Sequence, residues 1–390
     1  MKKTPVSLLP DGSVLKGILL PRYDEDHNLI GDMKAETMTL IDSGRVQGED
    51  VRIRFFNRDR TLRGKVEMEN VLLDQEKSRL FANEPVEITT DRLVARGSGL
   101  VYSLQEGEGF LKGPATTRIS APPAATSMNS RPFSAAALVA LCLAPAPLVA
   151  VPPAFVSKDE LAAIKADSAP AKLEVDKRSA GTQASFNESV EQGKKASDAA
   201  LAFISTSEIK NIAAEVPAAE AEAKPLDVKP DADDTLITCE GGMYFDSDEG
   251  ILVYLGKVKV TDPRFELSDV DQLKVFFEKK PEKKGAKKNV KKPAGMGNFG
   301  DVQKIVAEGA VLIDQKAVGG KEPIQASGRI LTYNIPTGEI IIHGGYPWVK
   351  QGTYFARAKE PNLTLRLLTS GSFSTQGNWE MGGNMNLKGN

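Results

Sequence analysis

The 390-residue sequence predicts an all-β chain in two stretches, separated by a middle of different composition. Three observations predict it. Apolar and polar residues alternate over short runs at both ends of the chain, the period of a half-buried strand. Turn signals rich in Gly, Asp, Asn and Pro punctuate these runs. One pattern, a tyrosine followed by two spaced glycines, occurs three times: Tyr102, Gly107, Gly113; Tyr244, Gly250, Gly256; and Tyr333, Gly338, Gly344. Each copy reads as strand, turn, strand.

In the first stretch, 13–120, the alternating sets are Val51, Ile53, Phe55; Val66, Met68; Val86, Ile88; and Leu100, Tyr102, Leu104. Asp42-Ser43-Gly44, Asn57-Arg58-Asp59, Asn83-Glu84-Pro85 and Glu106-Gly107 separate them. Short strands with one apolar face build a sandwich, jelly roll or barrel.

The middle, 121–235, reads as a linker. Its apolar part, about 132–156, is near the length that crosses a bilayer but holds Pro145, Pro147, Pro152 and Pro153. It also has the parts of a secretory signal: a positive start at Arg131, an apolar core over Ala135–Leu143 and small residues at Leu148-Val149-Ala150. Three readings stand: a second reading frame starting at Met128, an internal membrane span, or an apolar linker in an exported protein. A helix is expected around Glu188–Val216, from Val190, Ala200, Leu201, Ile204 and Ile212. The Ala-, Glu- and Pro-rich run after it reads as an unfolded tether. Residues 151–235 are therefore expected to add little fixed core.

The second stretch, 236–360, returns to strands and is followed by an extension, 361–390. A Lys-rich loop, 279–298, interrupts it, with eight Lys and one acid over 279–292. That loop reads either as a solubilising hairpin tip or as a contact for anionic lipid phosphates. The alternating apolar set here is Leu252, Tyr254, Val258, Phe265, Leu267, Val275, Phe277, Leu331, Ile340, Ile342 and Trp348. Two readings stand for it: a plain sandwich core, or two sheets far enough apart to admit acyl chains between them.

Composition excludes several chemistries. The net charge of −2 gives no electrostatic footprint for nucleic acid, and no aromatics interleave the Lys run. Two Cys, Cys142 and Cys239, without CxxC spacing argue against a disulfide framework or structural zinc. Two isolated His, His27 and His343, supply neither triad nor metal site, and each reads as a solvated or strand histidine. Asp246, Asp248 and Glu249 sit in a turn, read as solvated, and lack the downstream Glu of a calcium loop. The chain is expected to be no enzyme, with no metal and no cofactor.

From ITCEGGMYF to YPWVKQG, about 235–358, the chain resembles the OstA-like, LptA-type domain of lipopolysaccharide transport. Gly256-Lys257-Val258, Asp269 to Leu273, Glu308-Gly309-Ala310-Val311 and Gly328 to Tyr333 carry the likeness. Residues 13–119 resemble the LptC-type relative, chiefly in Pro85-Val86-Glu87-Ile88 and Gly97 to Leu100. The Lys-rich loop lies outside the pattern, and the residues before 13 do not supply the membrane anchor with which LptC-type proteins begin. The resemblance implies two incomplete β jelly rolls, residues 1–120 and 236–360, joined by a low-complexity, partly helical linker. It implies that the alternating set named above lines a groove for lipopolysaccharide acyl chains. It further implies a place in an envelope-spanning bridge across the periplasm, tethered to the inner membrane if the apolar segment spans it. Its partners would be other Lpt-type jelly rolls joined by edge-strand addition, an inner-membrane ABC transporter and an outer-membrane translocon. The alternative is a non-enzymatic envelope protein that serves as structure or attaches polysaccharide.

Overall fold

The structure, a computed structural model, describes residues 10–120 except 25, 43 and 58, residues 180–206, residues 231–278, and residues 299–383 except 318, 319, 369 and 370. The apolar segment 132–156 and the Lys-rich loop 279–298 lie outside the described residues, as does most of the linker.

The described residues are all-β apart from one helix. Before the linker come β1 (Val14–Tyr23), β2 (Leu29–Leu40), β3 (Arg45–Phe56), β4 (Leu62–Asp74), β5 (Arg79–Ala82), β6 (Val86–Thr90), β7 (Leu93–Gly97), β8 (Gly99–Ser103), β9 (Glu108–Lys112) and β10 (Ala115–Ile119). Helix α1 (Ala180–Thr206) follows. Then come β11 (Thr235–Cys239), β12 (Gly242–Asp246), β13 (Ile251–Thr261), β14 (Phe265–Phe277), β15 (Val302–Gln315), β16 (Ile324–Asn334), β17 (Glu339–His343), β18 (Trp348–Gln351), β19 (Tyr354–Ala358), β20 (Thr364–Leu368), β21 (Ser372–Gln376) and β22 (Trp379–Gly382).

These 22 strands form one sheet, paired antiparallel throughout and folded lengthwise into two walls. The pairing shows the fold. β4 meets β5 through Leu72–Asp74 and β6 through 64–67. β13 meets β12 through 251–255 and β11 through 259–261. β16 meets β17 through 330–334 and β18 through 324–327. The first wall thus holds β5, β8, β9, β12, β17, β20 and β21. The second holds β6, β7, β10, β11, β18, β19 and β22. Each long strand runs through both.

The long strands turn the corner at β-bulges, which bend a strand and raise its twist. Register shifts fall between Leu255 and Val258, across Ser268 to Gln272, and between Glu308 and Val311. Left-handed backbone marks them: Gly256 at φ 70°, Asp269 at 56° and Gly309 at 135°. At Gly309 a Cβ would stand 2.7 Å from the Asp271 amide nitrogen, so only glycine lets the two strands meet there.

The expected boundaries at 120 and 236 fall at the end of β10 and the start of β11, and the sheet continues across them. β9 pairs with β12, and β10 with β11. The C-terminal extension adds β20, β21 and β22 to the two walls. The fold is an incomplete β jelly roll whose end strands, β1 at one end and β21 and β22 at the other, keep an unpaired edge among the described residues.

Helix α1 straps the outer face of the first wall. Its buried positions are Phe186, Ser189, Gly193, Ala196, Ser197, Ala200 and Phe203, one stripe at three- and four-residue spacing. Small residues along the stripe let the helix lie close: a Cβ on Gly193 would stand 3.2 Å from Val306. Phe203 sits 5.7 Å from the Tyr244 ring, and with Ala196 and Ala200 joins Leu72, Phe81, Val101, Phe110 and Val253 in one cluster. Ser197 Oγ donates to Gln272 at 2.9 Å, and Arg79 donates to the Thr206 carbonyl at 3.1 Å. The expectation of little fixed core in 151–235 fails over this helix. The helix also starts before Glu188, the expected positions 207–216 lie outside the described residues, and Leu201, expected on the apolar side, is exposed.

Candidate functional site

The fold places ten of the eleven groove candidates on one inner surface. Leu252, Tyr254, Val258, Phe265, Leu267, Val275, Phe277, Leu331, Ile340 and Ile342 are at most 5 % exposed and belong to a single apolar cluster. Alternation along each strand and direct pairing between strands bring them together: Leu252 faces Val275 and Leu331 faces Ile342. The cluster extends far beyond the sequence-derived set. It runs from Ala35 and Val51 in the first half, through Leu111 and Met243 at the junction, to Leu365 and Leu367.

Trp348 departs from the expected set. It packs against Ala310 and Leu312 in a separate cluster, while its neighbour Val349 turns inward. The turn over 344–347 resets the alternation between β17 and β18, and a one-residue slip moves a side chain to the other face.

The same arithmetic separates the three tyrosine repeats. Tyr102 and Tyr333 precede their turn glycine by five residues and face inward; Tyr244 precedes Gly250 by six and faces outward under α1. Tyr102 stacks on Phe245 at 5.9 Å, and Tyr333 meets Phe265 edge-on at 5.5 Å. Tyr254 is fully buried, and that burial pushes its phenol well above the ordinary tyrosine range.

The ionisable groups near this interior are structural. His343 lies under α1, 5.4 Å from Phe186, with Nδ1 3.1 Å from Thr364 Oγ1. Burial lowers its pKa to about 4. Lys274, also beneath the helix, places Nζ 2.7 Å from Glu308 Oε1, and burial lowers its pKa against the opposing pull of that carboxylate. Glu108 and Asp246 face each other across the junction pair β9–β12, and burial first, then their neighbouring acids, raise both. Among the described residues no group of three or more His, Cys, Asp or Glu could hold a metal ion. No described helix is long and apolar enough to cross a membrane.

Opposite the bend, the hairpin turns of the two walls form two lips. Arginines reach from the second lip to the first. Arg22 donates to the Leu104 carbonyl at 3.2 Å. Arg92 Nη1 lies 2.5 Å from Asp301 Oδ1. Arg264, held by Asp262 at 2.8 Å, donates to the Tyr333 hydroxyl at 3.1 Å. Arg63 sits in the bulge where Phe55 pairs with Gly64 and Phe56 with Leu62, and it feels Tyr102 and the Asp248 carboxylate on the first wall. Sequence reasoning missed this row. The arginines share no local motif, and a register offset of several strands brings them opposite their partners.

The outer face of the second wall is polar. A cross-strand row runs Lys34, Arg52, Glu67, Glu87, Arg96, with ion pairs of 2.7 Å from Arg52 to Glu67 and from Arg96 to Glu87. This row lines an open cleft of about 860 Å³.

No protein-family model and no curated protein matches the chain. Among solved structures, it is similar to LptH of Pseudomonas aeruginosa, described as the LptA homologous periplasmic component of the conserved lipopolysaccharide transport device. That match has 14 % identity and a TM-score of 0.28, and covers 38 % of this chain and 92 % of that one.

Proposed function

We propose that the chain holds lipopolysaccharide acyl chains between its two walls and carries them across the periplasm as a component of a transport bridge, without catalysis. One observation carries the reading. The inward apolar surface is continuous along the whole folded sheet, through the junction of its halves, and the end strands keep an unpaired edge among the described residues. A continuous apolar interior replaces a membrane for acyl chains at about 0.8 kcal/mol per CH₂ buried, and needs no reactive group. In this reading the end strands pair with further Lpt-type jelly rolls, and an inner-membrane ABC transporter and an outer-membrane translocon stand at the two ends of the bridge. The inward residues are packed against each other, so occupancy requires the walls to part.

The test is photo-crosslinking in the presence of lipopolysaccharide. A photoreactive side chain at Leu252, on the inner face, labels lipid; one at Lys259, exposed on β13, does not. Equal labelling at both sites, or none at either, sinks the reading. A second reading, attachment of polysaccharide, draws on the charged cleft over Lys34, Arg52 and Glu67. It predicts glycan binding that Arg52→Ala weakens, with no lipid labelled at Leu252.

A further inference from the structure

The two walls are joined covalently at the bend by every long strand. They can therefore part only at the lips. Among the described residues, Arg22, Arg92 and Arg264 on the second wall bond across the lips to the first, and Arg63 on the second wall feels Tyr102 and the Asp248 carboxylate of the first. We infer that these arginines form a latch, which an acyl ligand opens by offering its own anionic groups, phosphate or carboxylate, where the first-wall acceptors now stand. The inference rests on the acyl-binding reading above.

The acceptors on the first wall suit such an exchange. Two of them, the Leu104 carbonyl and the Tyr333 hydroxyl, are uncharged. The one charged acceptor that is bonded directly, Asp301, is half exposed. An ionised phosphate or carboxylate adds its own charge to the bond that a neutral oxygen makes with arginine, and the guanidinium fork takes either anion with two parallel bonds. Donors also stand ready. Nε of Arg63 and Nε of Arg92 are buried and meet no acceptor among the described residues. A buried cationic donor left in that state is costly, and an anion at the lip relieves it. The geometry suits an amphiphile as well. The arginines border the apolar interior, Arg63 beside Phe55 and Tyr102 and Arg264 over the Phe265 and Tyr333 rings at 5.9 and 5.7 Å. A ligand with chains in the trough thus presents its headgroup at their level.

The experiment uses the full chain and two fluorescent single-chain lipids with the same acyl group, a lysophosphatidic acid and an uncharged monoacylglycerol. The expected result is that the phosphate lipid binds about tenfold tighter or more, the worth of one charged hydrogen bond. The triple variant Arg63→Gln, Arg92→Gln, Arg264→Gln brings this ratio close to one while the neutral lipid binds as well as before or better, because the latch is gone. The matching Arg→Lys triple, which keeps the charge, retains part of the ratio, and Arg52→Gln on the outer face leaves it unchanged. Single Arg→Gln variants replace the triple if its melting transition is lost. Equal affinity of the wild-type chain for the two lipids overturns the latch and leaves acyl binding standing. A ratio that survives the Gln variants, or a parallel loss for both lipids, also overturns it. Binding of neither lipid overturns both the latch and the acyl reading.

Discussion

The two walls carry the same inner face and opposite outer faces. On the first wall, β8 is buried at every position, and β9, β12 and β17 at most positions. On the second, β6, β7 and β10 alternate strictly between buried and half-buried. The cause is visible in the residues. GLVYS, GMYF and EIIIH are nearly continuous apolar runs, whereas VEITT, LVARG and ATTRI alternate. A strand with apolar residues on both faces needs a cover on each, and α1 is the cover for the first wall. A helix of 27 residues is about 40 Å long, and neighbouring strands lie about 4.8 Å apart, so one helix crosses the wall from Arg79 in the first half to His343 in the second. The difference teaches that the linker is not only a tether. Part of it completes the fold, and it does so over the junction of the two halves.

The comparison is sharpened first on the shared inner face. Leu252→Asp puts a charge into the closed interior and is expected to cost roughly 5 kcal/mol or to prevent folding. Lys259→Asp, on the exposed side of β13, should shift the urea midpoint by less than about 0.5 kcal/mol. Comparable losses at the two sites would break the inner-face assignment.

The next effect tests the cover. Phe203→Ala removes the ring that α1 sets against Tyr244, at an expected cost of about 3 kcal/mol. Because the helix guards an apolar wall, the variant should also bind a hydrophobic dye that the parent protein does not. A stability loss without dye binding would mean that the first wall does not depend on the helix for its cover.

Acid probes the same covered face through His343. The unfolded chain takes up a proton on this imidazole near 6.5, the folded chain only near 4. Between those values the unfolded state binds more protons, so the contribution is intact above about 6.5 and falls away as the pH drops toward 4. The loss is on the order of 3 kcal/mol. His343→Asn should flatten the slope of stability against pH in that window, read as a difference from the parent so that other groups cancel. An unchanged slope would place the imidazole in water.

The smallest effect is expected on the bare wall. Glu67→Gln breaks ion pairs to Arg52 and Lys65 that are part exposed. Such pairs are worth about 1 kcal/mol or less, and 0.5 M salt should erase the difference between parent and variant. A salt-resistant loss above 2 kcal/mol would show that the row bears structural load like that of the covered wall.

Much of the site was legible because strands have period two. The inward set from Leu252 to Ile342 follows from alternation alone, and alternation failed only at Trp348, where a turn intervenes. The lip arginines were not legible. Arg92 and Asp301 stand 209 residues apart, and no local pattern encodes a contact made by folding the sheet over.

By itself, the sequence determined the strands, their inner face and the width of a wall. The spacing from Gly107 to Gly113, from Gly250 to Gly256 and from Gly338 to Gly344 is the run from lip turn to bend, written three times. These features rest on local backbone geometry and two-residue periodicity, which neighbouring residues suffice to specify. Only the tertiary structure decided that the two halves share one sheet, that α1 covers the first wall, that Tyr244 faces away from the interior, and which arginines meet across the lips. Each of these depends on register between strands and on contacts across the folded sheet, so one inserted residue, or one helix laid across many strands, changes the outcome without changing the local pattern.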